Sequence, residues 1–142
     1  FSMLAHTAVR EAEVAVNNIV GKSDTMAYNA VPAVVYTNPE VAGVGLTEDE
    51  LKAQGRSYSV RKLPMTFSGR FVAENEGGNG LCKLIFDDND VIIGCHMIGN
   101  PASEIIATAA LAIEERLTAE RFGRLIVPHP SVAEIVRETL LS

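Results

Sequence analysis

Cysteine is scarce in this 142-residue sequence, which contains only Cys82 and Cys95. The two residues form no CxxC pair, and their number is far below that of a small secreted domain built on disulfide bonds. Because both stand in apolar runs, we predict two small core residues and no redox disulfide, with a thiol redox protein as the alternative. The low cysteine content fits a reducing compartment, and we expect a cytoplasmic location.

Long apolar runs and an excess of positive charge are also missing. No run approaches the roughly 18 apolar residues that a membrane helix needs, so no membrane partner is expected. Twelve basic residues stand against eighteen acidic ones, and the formal net charge is −6. Such a balance repels phosphate backbones, so no nucleic acid partner is expected. Phe1 begins no signal-peptide pattern, and we expect a chain cut from something longer, without a secretory leader.

Motifs that would make the chain a self-contained enzyme are absent as well. The glycine-rich stretches lack the GxGxxG and P-loop patterns, and no serine lies in a GxSxG elbow. His6 and His96 have no second ligand at metal spacing, so we predict no metal site and take both as structural residues. Nucleotide binding and nucleophilic catalysis by this chain alone are therefore not indicated.

The composition that remains is that of a globular protein, with 47% hydrophobic residues and a mean hydropathy of +0.15. The length suits one compact domain. Apolar residues recur at three- and four-residue spacing from Ser2 to Val20, which predicts an amphipathic helix that stops at Gly21. Residues 21–32 show no period and predict a linker. We therefore expect a domain boundary near residue 30.

Strand patterns follow this boundary. Alternating or β-branched runs predict strands at 33–37, 57–64, 81–87 and 91–99. The last two flank turn-forming residues at 88–90, so they form a hairpin that we place at the centre of a sheet. Residues 42–47 become a clear strand only where their glycines end, and residues 65–80 look irregular.

Helices are grouped towards the C-terminus. Helical patterns are predicted at 47–55, 101–117, 118–125 and 131–142. The first has Thr47 and Glu50 at capping-box spacing. In the second, Ala107 and Leu111 extend the apolar surface beyond one face, so the sheet covers one side and a second subunit is a candidate for the other. This order of elements predicts an α+β fold, a mostly antiparallel sheet with helices packed on one side.

A histidine between two prolines is the strongest chemical feature. Pro128 and Pro130 restrict the backbone around His129, so its ring projects at a defined angle before the last helix. A carboxylate from Glu134 on one ring nitrogen would orient the imidazole as a general base. Ser131 and Glu134 also stand at S-x-x-E spacing, so the glutamate equally fits a capping box with His129 a bystander. Any proton donor to His129 has to come from outside these residues.

Five segments, in order, resemble one family. They are "MLAH" at 3–6, "VYTNPEVAGVGLTEDEL" at 35–51, "GRFVAENEGGNG" at 69–80, "GCHMIGNPASEII" at 94–106 and "PHPSVAEIVRE" at 128–138. Together they are similar to dihydrolipoamide dehydrogenases, FAD-dependent members of the pyridine nucleotide-disulfide oxidoreductases. The resemblance implies the last helix of an FAD-binding domain plus linker at 1–30 and a dimerisation domain at 31–142.

The resemblance also implies functional residues. His129 matches the base that takes a proton from the dihydrolipoamide thiol, and Glu134 matches the carboxylate that orients it, both entering the active site of the other subunit of a homodimer. Residues Met3, Leu4, Ala5 and His6 match a helix start that touches FAD through its backbone. The parent enzyme would use FAD and NAD and would act on the lipoyl domain of a 2-oxoacid dehydrogenase or glycine cleavage complex.

Two departures from the family pattern qualify this picture. Many relatives carry "HxHPTLSE", whereas Val127, Ser131, Val132 and Ala133 differ here while the His, Pro and Glu keep their spacing. The redox cysteines and the FAD and NAD domains of the family are missing, so we expect no cofactor on this chain and no reductase activity from it alone. The alternatives are a glutathione or mercuric reductase type of enzyme and a non-catalytic interaction module.

Overall fold

The computed structural model describes residues 2–142 and is built on one antiparallel sheet. Its five strands lie in the order β1-β2-β5-β4-β3. Their bounds are β1 Ala33–Val35, β2 Val41–Gly45, β3 Ser59–Pro64, β4 Leu81–Phe86 and β5 Ile92–Ile98. The predicted hairpin is β4 and β5, with β5 in the middle of the sheet. The predicted α+β class is confirmed.

Six α-helices accompany the sheet within the described residues. They are α1 Ala5–Ile19, α2 Glu48–Ala53, α3 Gly69–Glu74, α4 Ala102–Glu114, α5 Ala119–Phe122 and α6 Glu134–Leu141. Helix α4 packs on β2 and β5, and α6 packs on β3 and β4. Short 3-10 turns occur at Tyr28–Ala30 and Met65–Phe67. The capping box that begins α2, between Thr47 and Glu50, is formed as predicted.

The core lies between the sheet and the two helices that pack on it. Alternate residues of β4, namely Cys82, Leu84 and Phe86, point into it because successive side chains of a strand face opposite sides. Helix α4 buries Ile105 and Ile106 in the same core. Both cysteines are free and buried in this core. The core therefore fixes the position of α6, the helix that begins at Glu134.

The glycine-rich segment is itself a strand, so the expectation that a strand forms only after the glycines was wrong. In β2, a Cβ on Gly43 would lie 2.9 Å from Nδ1 of His96 on the neighbouring strand β5. Gly45 has φ +79°, and a Cβ there would lie 2.3 Å from the carbonyl oxygen of Ile93. The glycines permit this close pairing, which strand propensity does not anticipate.

Part of the segment that looked irregular is also ordered. Residues 69–74 form α3, and the Oγ of Ser68 caps the helix by accepting a hydrogen bond from the Phe71 N–H at 3.3 Å. Serine is a preferred residue at N-cap positions. The helix after it is too short to show a clear apolar periodicity in the sequence. Helix α1 begins at Ala5 and not at Ser2, because Leu4 has extended backbone angles.

Helix α1 is held by the linker that follows it. The Arg10 guanidinium donates two hydrogen bonds to the Asp24 carboxylate, at 2.9 and 2.7 Å, and this lowers the pKa of Asp24 to about 2. The Tyr28 hydroxyl donates to Glu11 at 2.8 Å. Nε2 of His6 lies 2.8 Å from the carbonyl oxygen of Pro32, just before β1. These bonds fasten α1 beside the sheet while leaving much of its own apolar face exposed.

Candidate functional site

His129 lies on the loop between α5 and α6 and projects away from the core. Its side chain is 82% exposed, although the neighbouring Val132 is buried. Nδ1 of the ring lies 2.9 Å from Oε1 of Glu134, the first residue of α6. Among the described residues this carboxylate is the only hydrogen-bond partner of the ring. The structure therefore brings the two residues of the predicted dyad together.

The Glu134 carboxylate makes a second bond with its other oxygen. Oε2 accepts a hydrogen bond from the Ser131 N–H at 2.8 Å, which is the glutamate half of the capping box. The serine half is not formed, because the buried Oγ of Ser131 has no hydrogen-bond partner in the described part of the chain. The carboxylate therefore holds the His129 ring with one oxygen and the Ser131 backbone with the other, and a complete capping box is not formed.

Both bonds favour the ionised carboxylate. The Ser131 N–H, followed by the His129 ring, lowers the pKa of Glu134 below its ordinary value. An ionised carboxylate can only accept, so the Nδ1 atom of His129 carries the hydrogen. In the neutral form of the ring, Nε2 is then the nitrogen that can accept a hydrogen, and the side chain is open to solvent. This arrangement can take a proton from an outside donor, and the Glu134 charge stabilises the imidazolium that results.

The four residues predicted to touch a cofactor lie at the start of α1, far from His129 and Glu134 in the sequence. Met3 is fully exposed, and Leu4 occupies the N-cap position without a side-chain acceptor. The N–H groups of the first turn therefore have no capping side chain. No hydrogen bond joins residues 3–6 to the dyad within residues 2–142. The two predicted sites are therefore separate features of one subunit.

An apolar cleft of about 210 Å³ adjoins the His129 loop. Its walls include Ile105 of α4, Phe122 of α5 and Val136 of α6, and the chain at Val127 and Pro128 forms its rim. Large apolar side chains stand exposed near it. Leu111 of α4 is 58% exposed, and Ile126 of the loop is 93% exposed. The face predicted from the sequence as a subunit contact is therefore uncovered in one subunit.

The sequence did not indicate Ser68 as a residue of this site. Its hydroxyl donates a hydrogen bond to the carbonyl oxygen of Ser131 at 3.1 Å. The one available signal was an N-cap serine before a short helix, which gives no information about a partner 63 residues later. Residues 2–142 contain no cluster of His, Cys, Asp or Glu suited to a metal ion and no helix able to cross a membrane.

Comparison with known families gives one match over most of the chain. The model of the pyridine nucleotide-disulphide oxidoreductase dimerisation domain matches residues 31–140. A dihydrolipoyl dehydrogenase from Cupriavidus necator is 40% identical over 141 residues, which cover 99% of this chain and 30% of the relative. One from Thermus scotoductus is 42% identical over 137 residues, which cover 96% of this chain and 29% of the relative. The chain spans about 30% of the length of such relatives.

Solved structures agree with this match. LpdA from Mycobacterium tuberculosis has a TM-score of 0.88 at 25% identity, over 97% of this chain and 30% of that one. The HOCl-induced flavoprotein disulfide reductase RclA from Escherichia coli has a TM-score of 0.86 at 19% identity, over 99% of this chain and 33% of that one. The second likeness shows a shared fold alone.

Proposed function

The chain belongs to the pyridine nucleotide-disulphide oxidoreductases, as a dimerisation domain of the dihydrolipoyl dehydrogenase type, and we propose that it supplies the His129–Glu134 dyad to a partner subunit. The observation that carries the proposal is the geometry of the ring. His129 is bound to Glu134 at Nδ1, while the rest of its side chain is exposed and lacks a partner among the described residues. Such a base is prepared for a donor that its own subunit does not provide.

The proposed chemistry is proton abstraction from a thiol. The Nε2 atom of His129 takes the proton of a dihydrolipoamide S–H group, so that the S–H bond breaks, an N–H bond forms and a thiolate remains. The thiolate is the nucleophile in thiol–disulfide exchange. Glu134 keeps the ring oriented and stabilises the imidazolium until the proton leaves. No other group of this chain has to react.

Supply in trans is supported by the surface around the loop. A dimerisation domain implies self-association, and the apolar side chains of Leu111 and Ile126 are exposed beside the cleft. Burying them against a second copy removes apolar area from water, which is the main driving force for association. In this arrangement the His129 loop lies at the edge of the contact and enters the active site of the other subunit.

FAD and NAD belong to the proposed parent enzyme. We assign residues 1–30 to the end of the FAD-binding domain and residues 31–142 to the dimerisation domain. The uncapped N–H groups at Met3–His6 and the positive end of α1 suit a negatively charged group, so these residues would hold FAD through their backbone. When bound, FAD would accept the electrons of the dithiol and pass them to NAD. This chain contributes no residue to NAD binding in the proposal.

The proposed partner is a lipoyl domain of a 2-oxoacid dehydrogenase or glycine cleavage complex. A glutathione or mercuric reductase type of enzyme would use the same dyad with another substrate, and an interaction module would not use it. The substrate of a reconstituted enzyme distinguishes the first two. The cytoplasmic location inferred from the two cysteines stays a prediction.

The test joins this chain to the flavin- and nucleotide-binding part that the proposal places upstream. We expect His129→Gln to abolish turnover of dihydrolipoamide while the flavin absorbance of the purified enzyme is unchanged. The matched control is His96→Gln, a histidine of β5 outside the dyad, which should retain activity. If His129→Gln turns over dihydrolipoamide at the wild-type rate, the base assignment is wrong.

A further inference from the structure

Ser68 links two parts of the chain that are distant in sequence. It is 2% exposed and precedes α3, on the opposite side of the β4–β5 hairpin in sequence from the His129 loop. Its Oγ accepts from the Phe71 N–H at 3.3 Å and donates to the carbonyl oxygen of Ser131 at 3.1 Å. One hydroxyl therefore caps a helix and holds the backbone of a loop at the same time.

The loop has few other ties. Within residues 2–142, the bond from Ser68 is the only hydrogen bond between residues 126–131 and the chain before residue 126. The buried side chain of Val132 adds packing at one end of this segment. Packing of an apolar side chain limits where the loop lies but has little influence on the direction of its backbone groups. A hydrogen bond, in contrast, restricts the direction of the carbonyl group that accepts it.

The carbonyl of Ser131 belongs to the residue whose N–H binds Glu134. Ser68 holds the Ser131 oxygen, the Ser131 N–H donates to Glu134 at 2.8 Å, and Glu134 binds the ring of His129 at 2.9 Å. Three hydrogen bonds in series thus connect a buried hydroxyl to an exposed imidazole. A rotation of the Ser131 peptide units would move the N–H that holds the carboxylate.

Burial makes this bond hard to replace. Ser68 is shielded from water, so loss of its hydroxyl leaves the Ser131 carbonyl without its donor in that position. The loop then relaxes towards other donors or towards solvent. Since displacements of about 1 Å at a reacting group can lower rates by about 100-fold, such a relaxation matters for a base.

We propose that Ser68 is a positioning residue for the His129–Glu134 dyad, acting through the Ser131 backbone. The proposal rests on the proposed function for its meaning, but the geometry that it asserts can be tested without turnover. The Ser68 hydroxyl holds the carbonyl group of Ser131, and the N–H of Ser131 holds the Glu134 carboxylate. That carboxylate in turn selects the Nδ1–H form of the His129 ring.

The experiment records the ring nitrogen resonances of His129 by NMR in this chain at neutral pH. The variants are Ser68→Ala and Ser68→Gly, since glycine is tolerated at N-cap positions and keeps the chain folded if alanine does not. The control is Thr47→Ala, which removes the N-cap of α2 and so loses a comparable helix cap far from the loop. Urea unfolding of each variant records the loss of stability.

We expect the wild type to show the Nδ1–H tautomer and both Ser68 variants to show a mixture of the two tautomers. The Thr47→Ala variant should be destabilised yet keep the wild-type ring signals. If the Ser68 variants retain the wild-type ring signals, or if Thr47→Ala alters them equally, the proposal is overturned. If His129→Gln retained wild-type turnover, the base assignment would fail while the ring signals would still test the role of Ser68, so failures of the two proposals are distinguishable.

Discussion

The carboxylate of Glu134 holds Nδ1 of His129 at 2.9 Å with one oxygen and the backbone N–H of Ser131 at 2.8 Å with the other. A single side chain at the start of α6 therefore holds the backbone of the preceding loop and orients the imidazole. Loss of the carboxylate is expected to affect both stability and chemistry, and the two effects can be separated.

The first prediction concerns the pKa of Glu134 in a variant that lacks the His129 ring. The Ser131 N–H is the larger cause of the lowered Glu134 pKa and the His129 ring is the smaller one, so His129→Gln should return this pKa only part of the way to the ordinary glutamate value. Carboxyl-carbon NMR titration of the wild type and the variant measures both midpoints. A wild-type midpoint at or above the ordinary glutamate value would contradict the prediction.

The lowered pKa of Glu134 also predicts how its contribution to the free energy of unfolding changes with pH. Because the folded pKa of Glu134 is lowered, its contribution is present above the unfolded pKa and is lost as the pH falls through the folded pKa. The difference in unfolding free energy between wild type and Glu134→Gln should shrink as the pH falls through the range in which Glu134 takes up a proton. Urea unfolding at a series of pH values measures this difference.

The second prediction concerns the start of α4. Pro101 at its N-cap offers no capping side chain, and Oε2 of Glu40 instead accepts from the Ser103 N–H at 2.8 Å. We expect Glu40→Ala to lower the free energy of unfolding by about 1 kcal/mol, as loss of a helix cap does. The control is Glu104→Ala, an exposed acid in the same first turn. Equal losses in urea unfolding would show that Glu40 is not a cap.

The third prediction compares two glycines with positive φ. Gly55, with φ +62°, has no atom within 4 Å of a Cβ built on it, so Gly55→Ala should cost only backbone strain of roughly 1–2 kcal/mol. Gly45, with φ +79°, would place its Cβ 2.3 Å from the Ile93 oxygen. Gly45→Ala should therefore cost more than about 3 kcal/mol. Similar costs for both variants would argue against the close pairing of β2 and β5.

The fourth prediction concerns self-association. Leu111 is exposed on the face of α4 that we assign to a second copy, so Leu111→Glu should shift a dimer towards monomer in sedimentation velocity. The matched control is Val72→Glu, at an apolar residue that is 50% exposed on a different helix, α3. A wild-type chain that stays monomeric at high micromolar concentration would count against the assignment.

Several features of this protein could be predicted because they depend on neighbours in the sequence. Two predicted contacts join residues within five positions of each other, and both form. They are the capping box of Thr47 with Glu50 and the hydrogen bond between His129 and Glu134. The hairpin of β4 and β5 could also be predicted, since two alternating apolar runs enclose a turn. Patterns of this kind fixed the α+β class and identified the residues of the candidate dyad.

The sequence by itself determined these local elements, and the tertiary structure decided how they meet. The contact of Gly43 with His96, the cap of α4 by Glu40 and the bond from Ser68 to Ser131 join residues 53 to 63 positions apart. Such contacts depend on which faces the hydrophobic core brings together, and no repeat or spacing along the chain encodes them. The orientation of the dyad is therefore a property of the packed sheet and helices, while its identity is a property of a short stretch of sequence.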